Sequence, residues 1–109
     1  MAKLRNIFLL LLLTLSANAE IAFRGAWIAT VANIDWPSPE AVGNTELQQS
    51  EMVWILDSLE SLGINAIIFQ VRPTSDALYQ SELEPVAHWL TGTQGSWGEQ
   101  TPWDPLVDD

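Results

Sequence analysis

Polar side chains of types that bind ligands follow two apolar segments of the sequence, at the point where each segment ends. The segment "FRGAWIATVAN" is followed by Asp35 and Trp36. The segment "INAIIFQV" and the residues after it supply Gln70, Arg72, Asp76 and Tyr79. Carboxylate, amide and guanidinium groups form hydrogen bonds with hydroxyls, and an aromatic ring packs on the apolar face of a pyranose. These six residues predict a binding site for a polar, uncharged ligand, with a sugar chain as the first candidate.

Three of these side chains also have a purely structural interpretation. Asp35 is either a catalytic carboxylate or a cap for a backbone N–H two residues further on. Arg72 either contacts the ligand or forms an internal ion pair with Asp76 or Asp35. Gln70 either binds the ligand or belongs to a structural hydrogen-bond network. A glycosidase needs two carboxyl groups about 5 to 10 Å apart, and because the sequence does not show that Asp35 and Asp76 face each other, we assign no catalytic residue.

Several other chemistries lack the residues they need. His88 is the only histidine and there is no cysteine, so we expect no zinc site. The sequence has no G-x-S-x-G elbow and no glycine-rich phosphate loop, so neither a serine hydrolase nor a nucleotide cofactor is expected. After residue 19 come all fourteen acidic residues but only two of the four basic ones, Arg24 and Arg72. The resulting formal charge of −12 disfavours nucleic acid and anionic membrane surfaces as partners.

The first 19 residues have the pattern of a cleaved signal peptide. Lys3 and Arg5 precede the apolar run "IFLLLLLTL", and "ANA" at 17–19 supplies small residues for the peptidase. The run is shorter than the roughly 20 residues that a spanning helix needs, although a membrane anchor is the alternative interpretation. We therefore expect export to the periplasm or the extracellular space, with no stable membrane span after cleavage.

The apolar segments predict two parallel strands joined by a helix. Residues 23–33 and 64–71 are rich in β-branched and aromatic residues and are apolar on both faces, which is typical of a parallel sheet covered by helices. Between them, the stripe Met52, Ile55, Leu56, Leu59 and Leu62 predicts a helix. We expect Thr45 and Gln48 to form its capping box and Gly63 to end it.

The rest of the chain is predicted to be irregular. Residues 33–44 and 72–98 contain prolines and glycines that interrupt regular structure, and a long loop inside a compact domain is usually functional. "TPWDPL" suggests a second helix, with Thr101 as N-cap and Pro102 in the first turn. Two strands and one helix cannot cover both faces of their own sheet, so the sequence indicates the beginning of a larger βα-repeating domain.

Long motifs of the chain resemble one known family. "FRGAWIATVANIDWPSPE", the segment "LDSLESLGINAIIFQVRPTSDALYQSELEPVAHWLTGTQG" and "WDPL" are similar to the N-terminal part of the family-10-like glycosyl hydrolases (GHL10, formerly a domain of unknown function). The resemblance extends from about Phe23 to Leu106. It implies a (β/α)8 barrel that acts on bacterial polysaccharide, with peptidoglycan glycan as the leading candidate. It also implies pocket-lining positions at Arg24, Gly25, Trp27, Asp35, Trp36, Gln70, Arg72 and Asp76.

The resemblance implies that the principal catalytic carboxylate lies on later strands, so we expect residues 20–109 to form a truncated N-terminal part of such a barrel. Two alternatives stay open from the sequence. One is a secreted carbohydrate-binding module that stacks sugars on Trp36, Trp89 and Trp97. The other is a non-functional fragment.

Overall fold

The computed structural model describes residues 20–108, which form an α/β unit around a two-stranded sheet. The predicted signal peptide, residues 1–19, lies outside the described residues. The elements in chain order are β1 Gly25–Ile28, a 3-10 turn Val31–Asn33, a 3-10 turn Pro39–Ala41, α1 Thr45–Ser61, β2 Ala66–Phe69 and α2 His88–Thr91. Within residues 20–108, no helix combines the length and the apolar character that crossing a membrane requires.

The two strands are parallel, as predicted. Their register pairs Gly25 with Ala66 at one end and Ile28 with Phe69 at the other. Helix α1 connects the strands, so the predicted strand–helix–strand unit is confirmed. Because parallel strands run in the same direction, both carboxyl ends lie at one edge of the sheet, here called the carboxyl edge.

Both strands are shorter than predicted. Strand β1 ends at Ile28 instead of continuing to Asn33, because the chain turns back: the Asp35 N–H donates to the Ala29 carbonyl over 2.9 Å. The turn passes through the left-handed region at Ala32 and Asn33, with φ of 55° and 53°. Strand β2 likewise covers only part of the predicted range 64–71.

Helix α1 begins one residue earlier than the predicted capping box implies. Its N-cap is Asn44, whose side-chain oxygen accepts a hydrogen bond of 3.1 Å from the Leu47 N–H. The predicted cap Thr45 is already helical, and its hydroxyl donates to the Thr101 carbonyl. Gln48 is fully buried and does not close a box. The prediction was wrong because an asparagine and a threonine stand side by side, and both are good N-caps.

The end of helix α1 confirms the role predicted for Gly63. Its φ is 84°, and its N–H donates to the Glu60 carbonyl over 2.9 Å. The next residue, Ile64, donates to the Leu59 carbonyl over 3.0 Å. This pair of bonds is a Schellman motif, which needs a residue with positive φ and therefore favours glycine.

One face of the sheet packs on the hydrophobic core and the other is open. The core cluster consists of Ile28, Trp36, Leu78, Val86, Ala87, Leu90 and Trp103. Met52 and Ile55 of helix α1 pack against it. Two other members of the predicted stripe do not, because Leu56 is 40% exposed and Leu62 is 77% exposed within residues 20–108. On the opposite face, Trp27 and Ile68 are register partners and both are exposed. Trp54 of helix α1 is also exposed, at 70% within the described residues.

The long segment after β2 is largely irregular, as predicted, but backbone hydrogen bonds within it hold its shape. Ala77 forms an isolated parallel bridge with Val86, and the Ala87 N–H donates to the Ala77 carbonyl over 2.8 Å. The short helix α2 in this segment was not predicted. The helix predicted from Thr101 does not form within residues 101–108. These residues contain only a turn at 105–107. Four residues of α2 carry too little periodicity to be recognised in a sequence.

Candidate functional site

Gln70 joins the two strands at the carboxyl edge. Its side-chain oxygen accepts hydrogen bonds from the backbone N–H groups of Thr30 (2.9 Å) and Val31 (3.0 Å). The buried Thr30 hydroxyl donates in return to the Gln70 carbonyl over 2.7 Å. The side-chain oxygen of Gln70 therefore belongs to a structural hydrogen-bond network, which is one of the two interpretations given above. Its amide nitrogen donates no hydrogen bond to residues 20–108.

Asp35 closes the loop that follows β1. Its Oδ2 accepts a hydrogen bond of 2.8 Å from the Ala29 N–H, and its own N–H donates to the Ala29 carbonyl. The carboxylate therefore caps a backbone N–H six residues back, where the sequence suggested one two residues further on. The side chain remains exposed. It borders two surface hollows of about 230 Å³ and 260 Å³, the second of which is also lined by Glu51 and Trp54.

Trp36 lies in the core, where it is 0% exposed. Its indole packs edge-to-face against Phe69 and Trp103, with ring centroids 5.7 and 5.9 Å apart. Its Nε1–H donates to the Gln48 carbonyl over 3.0 Å. No part of the ring reaches the surface, so Trp36 offers no stacking platform in this arrangement, and the expected ligand contact is replaced by packing under the carboxyl edge.

Asp76 is buried and organises the segment after β2. Its carboxylate accepts hydrogen bonds from the Thr74 N–H and hydroxyl, from the His88 N–H and from the Gln94 amide, over 2.9 to 3.3 Å. Burial raises the pKa of Asp76, but these hydrogen bonds together outweigh that effect and hold the pKa below its ordinary value. The carboxylate therefore stays ionised at neutral pH as a structural anchor.

Arg72 forms an ion pair, although with a partner that the sequence did not suggest. Its Nε donates to Glu84 Oε2 over 2.7 Å and its Nη2 donates to Glu84 Oε1, a bidentate contact. The expected partners Asp76 and Asp35 make no such contact with it. Hydrogen bonding and charge attraction from Glu84 raise the pKa of Arg72, and Tyr79 adds a smaller contribution. Arg72 and Glu84 therefore form one ion pair after the end of β2.

Two residues outside the predicted set of ligand-binding side chains, Asn33 and Gln48, hold the loops of this edge. Asn33 donates from its side-chain nitrogen to the carbonyls of Pro37 and Trp89, both over 2.9 Å. The buried Gln48 donates to the Leu90 carbonyl over 2.8 Å. Asparagine tolerates the left-handed conformation, so "AN" before a loop is a weak signal for Asn33. A polar residue facing the core side of a helix is the corresponding signal for Gln48.

The residues predicted to bind a ligand differ in their exposure to solvent. Asp35, Arg72 and Tyr79 keep exposed or half-exposed side chains at the surface, whereas Trp36 and Asp76 are buried. No hydrogen bond or ion pair connects Asp35 with Arg72 within residues 20–108, so the structure does not bring the whole set together.

No three histidine, aspartate or glutamate side chains of the described residues are grouped as metal ligands.

A parallel α/β unit with polar groups at its carboxyl edge defines a broad class, because parallel α/β enzymes bind their ligands at this edge. Comparison with known proteins narrows the class. The family model described as glycosyl hydrolase-like 10 matches residues 22–108. This chain belongs to the glycosyl hydrolase-like 10 family, which confirms the resemblance seen in its motifs.

Two curated relatives are named as glycosyl hydrolases. Glycosyl hydrolase YngK of Bacillus subtilis (strain 168) is 41% identical over 92 residues, which are 84% of this chain and 17% of the relative. Glycosyl hydrolase DigH of Escherichia coli (strain K12) is 39% identical over 89 residues, which are 76% of this chain and 20% of the relative. The chain thus spans about one fifth or less of the length of these relatives.

Proposed function

We propose that this chain supplies the first strands and part of the ligand-binding rim of a glycoside hydrolase. The enzyme would be a (β/α)8 barrel that cleaves glycosidic bonds in bacterial polysaccharide, with peptidoglycan glycan strands as the first substrate to test. One structural observation supports the proposal above all: β1 and β2 are parallel, so Asp35 and Arg72 follow strand ends that lie at the same edge. Family membership and the names of the two relatives support the class of reaction.

Within this proposal the accessible side chains orient the substrate. Arg72 and the free amide nitrogen of Gln70 donate hydrogen bonds to sugar oxygens, Asp35 accepts them, and Tyr79 supplies an aromatic surface. Trp36 and Asp76 act from below by holding the loops in place. The catalytic acid and base belong to later strands of the barrel. The reaction then needs no cofactor, because two carboxyl groups suffice for glycoside hydrolysis.

The proposal includes export. Residues 1–19 would act as a signal peptide and place the enzyme in the periplasm or the extracellular space, where cell-wall glycan is accessible. Mass spectrometry of the secreted protein tests this directly, because cleavage after Ala19 leaves Glu20 as the first residue. A mature N-terminus at Met1 would contradict it.

Release of new reducing ends from purified glycan strands tests the activity, with the full-length protein and its Arg72→Gln and Asp35→Asn variants. Loss of one hydrogen bond to a charged group costs about 1.5 to 3 kcal/mol, so kcat/KM should fall about 10- to 150-fold. Glu99→Gln is the control, because Glu99 is exposed and forms no ion pair within residues 20–108. Glycan binding without any release of reducing ends would instead support the binding module, and neither binding nor release would refute both.

A further inference from the structure

The ion pair between Arg72 and Glu84 is exposed on one side only. The Arg72 side chain is 56% exposed and that of Glu84 is 22% exposed. Glu84 lies outside the set of residues that the sequence pointed to, because twelve residues and a turn separate it from Arg72. The pair therefore presents mainly the guanidinium group to the solvent, while the carboxylate lies partly covered against the segment after β2.

Glu84 is held in place before any ligand arrives. The Ser81 hydroxyl oxygen accepts hydrogen bonds from the N–H groups of Leu83 (3.1 Å) and Glu84 (3.2 Å). The following residue, Pro85, accepts a bond of 2.9 Å from the Ala77 N–H. Turns of this kind fix the backbone on both sides of Glu84, so the carboxylate is pre-positioned to orient the guanidinium.

The N–H groups of Arg72 that remain available belong to an ion pair with no net formal charge. A guanidinium has five N–H groups, and the bidentate contact uses one on Nε and one on Nη2. The two N–H groups of Nη1 and one of Nη2 form no bond within residues 20–108. The formal charge of the pair is zero, so an approaching carboxylate gains little net attraction and also meets the negative charge of Glu84.

Within residues 20–108, Arg24 is the only other arginine or lysine. The second arginine after residue 19, Arg24, lies at the opposite end of the sheet, where its side chain donates to the Gly63 carbonyl beside the start of β2. The surrounding chain is strongly acidic. Within residues 20–108, the carboxyl edge therefore offers a negatively charged sugar one arginine, and Glu84 neutralises its charge.

We propose that the Arg72–Glu84 pair selects an uncharged oxygen of the glycan, a hydroxyl or an acetamido carbonyl, and that Glu84 is the specificity-determining residue that discriminates against a carboxylate at this position. This inference rests on the proposed glycan-binding function. It gives Glu84 a task beyond shaping the loop, which is the ordinary role of an exposed ion pair.

Isothermal titration of the full-length protein with two matched glycans tests the inference. Both are peptide-free tetrasaccharides of alternating N-acetylglucosamine and N-acetylmuramic acid, one with free carboxylates and one with these groups converted to primary amides. The wild type should bind the amide form at least as tightly as the acid form. Glu84→Gln should shift the preference towards the acid form by about fivefold at low salt, and the shift should shrink at about 1 M salt, where screening is nearly complete.

Two variants separate this effect from changes in net charge or folding. Glu82→Gln removes an exposed acid two residues away that forms no ion pair within residues 20–108, and it should leave the preference within about twofold. Arg72→Gln leaves Glu84 unneutralised and should shift the preference in the opposite direction, towards the amide form. This second direction keeps the test decisive if Glu84→Gln does not fold.

A wild type that binds the acid form several-fold more tightly overturns the inference, and so does an unchanged preference in both the Glu84 and Arg72 variants. In either case glycan binding persists, so the proposed function stands and only the role of Glu84 is rejected. Failure of every protein to bind either glycan would reject the proposed function together with the inference.

Discussion

Replacing Gln48 with leucine should destabilise the fold more than any other single amide replacement in helix α1. The Gln48 amide donates to the carbonyls of Ala41 and Leu90, both over 2.8 Å. It accepts from Gln100 Nε2 over 2.8 Å and from Trp103 Nε1 over 2.9 Å. Gln48 is 0% exposed, so water cannot replace these bonds without a rearrangement of the core. One side chain thus connects helix α1 with three other segments.

The expected loss follows from the partners that remain. The Ala41 and Leu90 carbonyls keep hydrogen bonds from Asn44 and Gly43, so each loses only a second bond, about 0.5 kcal/mol. The donors of Gln100 and Trp103 lose the one acceptor that they have within residues 20–108, which costs about 2 kcal/mol each. Burial of the leucine side chain offsets about 1 kcal/mol. The free energy of unfolding should fall by about 4 kcal/mol, a large share of the stability of a small domain.

Urea unfolding followed by tryptophan fluorescence measures this loss, because Trp103 is both a partner of Gln48 and a probe of the core. Trp103→Phe is a milder companion: it removes one donor and leaves Gln48 Oε1 with Gln100, so we expect a loss of about 2 kcal/mol. Gln49→Leu is the matched control, since the neighbouring Gln49 is half-buried and forms no side-chain hydrogen bond within residues 20–108. It should change stability by about 0.5 kcal/mol or less.

Equal stability of the Gln48→Leu and Gln49→Leu proteins would refute this reasoning. It would mean that the network around Gln48 is replaced by water or by other donors at no cost. A large loss for Trp103→Phe together with a small loss for Gln48→Leu would have a different meaning, namely that packing of the indole, and not its N–H group, stabilises the core.

Three further predictions concern the loops and the helix cap, all measured by urea unfolding. Asp76→Asn should destabilise by about 1 to 3 kcal/mol at neutral pH. The contribution of ionised Asp76 is complete above its ordinary pKa of 3.8 and is lost as the pH falls through the lower folded pKa. Asn44→Ala should cost about 1 kcal/mol through loss of the helix cap. Gln70→Leu should cost about 2 to 4 kcal/mol, because Thr30 and Val31 lose an acceptor.

Two of these predictions have a conservative variant as control, and the third has a change of pH. Asn44→Asp keeps an acceptor for the helix N-terminus and should lose only a few tenths of a kcal/mol. Gln70→Glu keeps the two accepted bonds and should be more stable than Gln70→Leu. For Asp76, the stability difference from wild type should narrow below pH 3.8. A difference that stays constant across that range would show that the charge of the carboxylate contributes nothing.

Much of the secondary structure could be predicted because its causes are local. The parallel strand–helix–strand unit follows from two apolar runs separated by an amphipathic segment. The end of helix α1 follows from one glycine that can adopt a φ of 84°. Family membership was also recognisable, because the motifs between Phe23 and Leu106 are long. Prediction was least accurate at the strand ends, where two residues with positive φ turn the chain after Ile28.

The candidate site was predicted by residue type, but the contacts of those residues were not. Composition and spacing alone indicated that Asp35, Arg72 and Asp76 follow strand ends. Only the folded chain decides that Arg72 pairs with Glu84, that Trp36 is buried beneath the edge, and that Gln48 connects three segments. The physical reason is the range of the interactions. Periodicity and capping act within a few residues, whereas most of these partners are 12 to 55 residues apart and meet only when the chain folds.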